Sequence, residues 1–357
     1  MLETRPSRKW GTILRRAAGV VVLVCGVLLA AGLCLAAQPK NNPLPSIFKP
    51  ESTPADWVFQ LSTFVLTVTG LIFVVVGTLL VYSVTKFGAR SGDDGREPPQ
   101  VYGSNQIELS WTVIPVLIVL VLFLATARVL HSVQDVPEPP GALEVTVIGH
   151  QFWWEFRYPQ LGIVAANEMH VPVSDSAHPT PTFMKLLSAD TDHSFWVPQL
   201  AGKTDLIPNH PNTMWIDPHI VGTFLGQCAQ YCGTQHAKML LVVSVDSAED
   251  FAAWARAQKQ PANTDEKAAA GRRVFETTAC INCHAVAGTA ADGRFGPDLT
   301  HLMSRTTIAS GAVENNHANL RLWIENPDSI KPGSLMPAMK LSDADLDALV
   351  AYMESLR

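Results

Sequence analysis

Two runs of this 357-residue chain contain no charged side chain, Trp57–Thr85 and Leu109–Ala127. Each reaches the roughly 20 apolar residues that an α-helix needs to cross a bilayer. A buried helix of 29 uncharged residues would be unusual in a soluble protein. The two runs therefore read as membrane-spanning helices, over about residues 57–86 and 108–130 of a hairpin at 38–131. The bias explains a composition that is 47% hydrophobic and only 16% charged. Residues 1–37 have the form of a signal peptide, with a basic start, an apolar stretch and small residues near Ala37. An uncleaved anchor is the alternative. With the basic N-terminus inside, the loop 86–106 is cytoplasmic and everything after about 131 lies outside.

The outer part divides at polar linkers. Pro137-Glu-Pro-Pro-Gly141 precedes a segment, 141–257, with alternating strand character at Leu143–Ile148 and Leu240–Val245. Short strands and Pro-rich turns predict a Greek-key barrel or sandwich, closed by a helix over Ser247–Gln258. Residues 258–264 form a linker, and 265–357 a small helical domain. There Thr264 could cap a helix carrying Gly271 and Phe275. Ser342-Asp-Ala-Asp345 reads as a capping box ahead of an apolar stripe, Leu346, Leu349, Val350, Met353 and Leu356.

Cys228, Cys232, His236 and Met239 stand within twelve residues, and His193 lies thirty-five upstream of Cys228. Thiolates, imidazoles and a thioether select copper over harder cations. A mononuclear blue-copper site needs one cysteine; the second lets two thiolates bridge two metal ions, each with one histidine. A Cys228–Cys232 disulfide and a Cys2His2 zinc site are the competing readings, and neither uses Met239. Farther on, Cys280-Ile-Asn-Cys283-His284 has the spacing that attaches c-type haem, with His284 as proximal ligand.

The run Gly226–Met239 resembles the CuA loop of cytochrome c oxidase subunit II, and His193–Pro198 and Lys203–Pro208 resemble two further signatures of that family. The resemblance implies a cupredoxin fold with a dinuclear copper centre, CuA. Its side-chain ligands would be His193, Cys228, Cys232, His236 and Met239, with the backbone carbonyl of Gln230 completing the set. Most relatives carry Glu where Gln230 stands, and that side chain helps to bind magnesium; Asp205 matches the second magnesium contact. Residues 265–357 resemble a class I cytochrome c. Lys331–Pro337 matches its distal loop, so Met336 is the expected sixth haem ligand and Met339 the alternative. The aromatic run Phe152, Trp153 and Trp154 matches the segment that receives electrons above the copper; a barrel core strand is the plainer reading. Glu108, which at a helix start also suits the helix dipole, matches the mouth of a proton path.

Together these imply a multi-domain membrane protein: a two-helix transmembrane hairpin, an all-β cupredoxin domain and an all-α class I cytochrome c domain. The implied function is subunit II of a bacterial caa-type haem–copper oxidase, in the inner or plasma membrane with copper and haem outside. It would take electrons from cytochrome c or a quinol dehydrogenase complex. It would pass them to subunit I, where oxygen is reduced with proton pumping. A quinol oxidase subunit II shares the frame but lacks the copper ligands. A free-standing copper–haem electron carrier in the membrane is the other reading left open. Nucleic-acid motifs are absent, and the net charge of −6 says little about partners.

Overall fold

A computed structural model describes residues 46–87, 100, 102–134, 138, 140–175, 179–262 and 268–357. The expected signal segment, most of the loop after the first helix and Thr264 lie outside the described residues. Helix α1 spans Thr53–Phe87 and α2 spans Asn105–Gln134, both longer than the uncharged runs within them. At 1.5 Å per residue they are about 50 and 45 Å long, more than a bilayer core requires. α2 buries none of its residues within the protein, and α1 buries only Pro54 and Ala55. Such bare apolar surface is unfavourable in water and stable in lipid or against partner helices. Pro115 sits inside α2, tolerated in a membrane helix where neighbours re-satisfy the freed backbone carbonyl.

The described chain forms two compact units, one holding Thr63–Leu122 and the other Pro45–Ser62 with Phe123–Arg357. The second contains a sandwich of two five-stranded sheets. One has the order β3 (Ile163–Ala166), β2 (Trp153–Tyr158), β1 (Leu143–His150), β5 (Thr182–Ser188), β8 (Asn212–Ile216). The other has β4 (Glu168–Pro172), β10 (Leu240–Asp246), β9 (Gly222–Cys228), β6 (His193–Trp196), β7 (Thr204–Leu206). Parallel pairing of β1 with β5 and of β4 with β10 gives crossovers rather than a simple meander. Alternate residues point inward, so Val145, Val147, Phe156, Phe195, Leu241 and Val243 fill the core. Helix α3 (Ala248–Gln258) closes the sandwich, with Ser247 accepting from the Asp250 backbone N–H at 3.1 Å as N-cap.

The C-terminal domain is helical: α4 (Ala269–Thr277), α5 (Cys280–Cys283), α6 (His317–Glu325), α7 (Pro327–Ile330) and α8 (Asp343–Ser355). Gly271 permits α4 to cross α8 closely, since a Cβ there would lie 1.9 Å from the Ala348 carbonyl oxygen. Ser342 caps α8 through the Asp345 N–H at 3.2 Å, and the stripe Leu346, Leu349, Val350, Met353 and Leu356 is buried. A two-stranded piece, β11 (Thr307–Ile308) and β12 (Val313–Glu314), lies between α5 and α6.

Candidate metal and haem sites

The copper-type ligands meet at one end of the sandwich because β6 pairs antiparallel with β9. The register sets Phe195 opposite Cys228, which brings His193 to the loop that follows β9. That loop then turns through a short helix at His236–Lys238 into β10. Cys228 and Cys232 are free thiols with sulfurs 3.9 Å apart, so they form no disulfide. His193 Nδ1 lies 3.9 Å from the Cys228 sulfur, and the Gln230 carbonyl oxygen 3.1 Å from it. His236 Nδ1 and Met239 Sδ each lie 3.8 Å from the Cys232 sulfur. Each sulfur thus carries its own histidine and one further donor.

Among the described residues, His193, Cys228 and Cys232 are the one group of three such ligands within 4.8 Å of one another, and His236 is outside it. A single tetrahedral zinc would draw all four donors to about 3.5–3.8 Å of one another. In this structure the donors divide into two sets, one imidazole to each sulfur.

The surroundings tune these groups. His193 is fully buried, and burial opposes its protonation most strongly of any one cause; the hydrogen bonds and charges of Asp190, 2.8 Å from Nε2, and of Cys228 together outweigh this and raise its pKa. The Asp190 bond orients the ring so that Nδ1 faces the sulfur. The two thiols titrate as a pair. The hydrogen bond between them lowers the first ionisation far below an ordinary thiol, and the same bond, with burial and the resulting charge, raises the second far above it. Binding of a cation replaces both protons. Asp190 was readable three residues before His193, but nothing local gave it this role.

The aromatic run splits into three environments. Trp154 is fully buried, 6.1 Å from the His193 ring and edge-on to Phe195 at 5.6 Å, which makes it core. Trp153 stacks on His150 at 4.2 Å. Phe152 lies against the copper loop, where a Cβ on Gly233 would stand 3.0 Å from its ring. Gln151, beside it, donates from Nε2 to the Cys232 carbonyl at 2.6 Å, a contact that no motif announced.

In the helical domain Cys280, Cys283, His284, Met336, Met339 and Phe275 line one large cavity, about 1400 Å³ including its open mouth. His284 is held by its Nδ1, 2.8 Å from the Pro297 carbonyl, which leaves Nε2 as the free nitrogen. Burial lowers its pKa, so the ring stays neutral. Gly296 lies so close that a Cβ would meet that ring at 2.6 Å. Two thiols, a pinned neutral imidazole and two thioethers around an apolar cavity fit a covalent haem. Both methionines reach the cavity, so its lining alone does not choose between them. Gln151, Phe152 and Trp153 line the same cavity from the sandwich side.

Asp205 and Glu108 each bond to a close neighbour in the chain. Asp205 is half-exposed and pairs with Lys203 at 3.2 Å. Glu108, in the first turn of α2, accepts from the Ser104 N–H at 3.3 Å, as a helix-start carboxylate does.

A membrane-anchored electron-transfer protein, built of a cupredoxin-like sandwich and a cytochrome c domain, is the class this architecture defines. Residues 41–129 match the family described as Cytochrome C oxidase subunit II, transmembrane domain. Residues 143–246 match its periplasmic domain, and 268–357 match Cytochrome c. Cytochrome c oxidase subunit 2 of Alkalihalophilus pseudofirmus is 35% identical over 315 residues, 86% of this chain and 90% of that one. Its counterpart in Bacillus subtilis is 31% identical over 353 residues, 93% and 97% of the two chains. Quinol oxidase subunit 2 of Bacillus subtilis is 30% identical over 219 residues, 60% of this chain and 65% of that one. The chain belongs to the cytochrome c oxidase subunit II family and carries a cytochrome c domain fused at its C-terminal side. It is a terminal-oxidase subunit in a membrane, with copper, haem c and partner oxidase subunits implied by the family.

Proposed function

We propose that this chain receives electrons at a covalent haem c and delivers them through dinuclear CuA to subunit I, where oxygen is reduced to water with proton pumping. The observation that carries this reading is the pairing of donors. Each sulfur of the Cys228–Cys232 pair has its own imidazole, at 3.9 and 3.8 Å, beside a cavity lined by a C-x-x-C-H motif. When bound, the copper pair and the haem supply one-electron redox chemistry. Copper would be held by His193, Cys228, the Gln230 carbonyl, Cys232, His236 and Met239, and haem by Cys280, Cys283, His284 and Met336.

The residues around the sites keep them fixed and dry. Cys228, Cys232, Met239 and His193 are each at most 4% exposed, which excludes water and limits movement when charge changes. Asp190 holds His193, and the Pro297 carbonyl holds His284 in one tautomer. Gln151 ties the aromatic run to the Cys232 backbone, so Phe152, Trp153 and Trp154 are the candidate electron path. Glu108 is proposed as the proton intake toward subunit I. A magnesium contact at Asp205 is a separate proposal; with Gln230 an exposed amide, the remaining ligands would have to come from subunit I. In this reading both outer domains face the periplasmic or extracellular side of a bacterial inner or plasma membrane. The donor is a cytochrome c or a quinol dehydrogenase complex.

Metal analysis and electron-paramagnetic resonance of the purified chain test this. Two coppers sharing one unpaired electron, with one covalent haem, are expected. A single copper with a mononuclear spectrum refutes the dinuclear centre.

A further inference from the structure

The sequence places a linker at 258–264 between sandwich and haem domain, an arrangement that would suit loose docking. The contacts between haem domain and sandwich have a different character. Glu168, on the edge strand β4, is 4% exposed. Its carboxylate accepts from the Thr307 N–H and hydroxyl, both at 2.8 Å, from the Thr306 hydroxyl at 2.8 Å, and from the Thr306 N–H at 3.0 Å. In the other direction Lys331 of the haem domain is 3% exposed and donates to the Phe152 carbonyl at 2.8 Å.

Between these points the backbones also join. Leu240 N–H donates to the Ser310 carbonyl at 3.1 Å, and the Ser310 hydroxyl donates to the Leu240 carbonyl at 2.8 Å. Gly311, at φ +75°, permits this approach, since a Cβ there would lie 2.9 Å from that of Leu240. Lys238 donates to the Ile330 carbonyl at 2.5 Å and Gln235 to the Pro332 carbonyl. Gln235, Lys238 and Leu240 flank His236 and Met239 in the chain.

A buried carboxylate or ammonium is costly unless its hydrogen bonds are made. Here one such group crosses the boundary in each direction: the haem domain makes the hydrogen bonds of the buried Glu168 carboxylate, and the buried Lys331 makes one to the sandwich. Transient docking surfaces keep charges at a wet rim. We infer that Glu168 and Lys331 clasp the haem domain onto the copper loop as one fixed body, so that haem-to-copper transfer needs no docking step. This rests on the site reading above and makes both residues positioning residues for that transfer.

The test uses the full-length chain in detergent, with a protease site inserted between Pro261 and Ala262. After cleavage the haem fragment should stay with the copper-bearing fragment on gel filtration. E168A and K331M should each weaken retention by more than about tenfold, as truncating one side of a buried hydrogen-bonded charge does. If E168A disturbs folding, T306V with T307V probes the same contact from the other domain. Quantitative release of the wild-type fragment overturns the inference, and so does undiminished retention in the E168A K331M double variant. Copper and haem are measured on the uncut chain. Their absence would refute the site assignment, while fragment retention, followed by immunodetection, still decides the clasp.

Discussion

The two sites solve opposite packing problems. The candidate copper ligands sit against the packed aromatic core of the sandwich: His193 and Met239 are fully buried and β6, β9 and β10 are hydrogen-bonded around them. The candidate haem ligands instead border a cavity of about 1400 Å³ including its open mouth, framed by the four-residue α5 and an irregular loop carrying Met336 and Met339. An ion fits within an already packed core. A haem must supply much of the core that surrounds it, because protein interiors do not keep large apolar voids. Removing the cofactor should therefore matter far more to the fold of one domain than of the other.

The largest effect should follow from C280A with C283A. Covalent haem absorbance should vanish, and hydrogen exchange should show the helical domain losing protection while the sandwich keeps its own. An equally protected helical domain without haem would break the contrast. Next, C232S should remove the shared-electron copper spectrum and leave at most a mononuclear site, cutting electron delivery by orders of magnitude. The sandwich should stay folded, since an altered buried polar group costs about 1–3 kcal/mol, less than the usual stability of a domain. Thermal unfolding with copper analysis would check both halves of that statement.

Within the haem domain, M336L should abolish the thioether–iron absorption and lower the potential by on the order of 100 mV, a modest part of the ~0.8 V that axial ligands span. M339L should change neither. The reverse result would move the sixth ligand by three residues. The smallest expected change is in E108Q: turnover should slow severalfold with both metal spectra intact. Unchanged oxygen consumption and proton uptake would leave Glu108 as a helix-start residue bonded to Ser104.

The chemistry was largely legible in the sequence, because it depends on residue types at short spacing. Charge-free runs gave the membrane helices, Cys-x3-Cys-x3-His-x2-Met gave a soft-metal loop, and C-x-x-C-H gave haem attachment. Ser342 announced its helix through local capping chemistry, whereas the helix expected over Ser247–Gln258 begins at Ala248 with Ser247 as its N-cap. The second cysteine already pointed to two ions rather than one. What the fold adds is the meeting of His193 with Cys228, set by the pairing of β6 with β9.

What the chain order alone determined is therefore the inventory: which ligands, which anchors, which capped helices, all fixed within a few covalently linked residues. Only the tertiary structure decided how distant residues meet. Asp190 behind His193 and Gln151 against Cys232 depend on loops brought to one end of the sandwich. Glu168 finds Thr306 across 138 residues, and Lys331 finds Phe152 across 179. No local pattern marks this role for either residue, since a lone Glu or Lys usually stays in solvent. Their partners become visible only when folding buries the charge and another domain supplies the hydrogen bonds that burial requires.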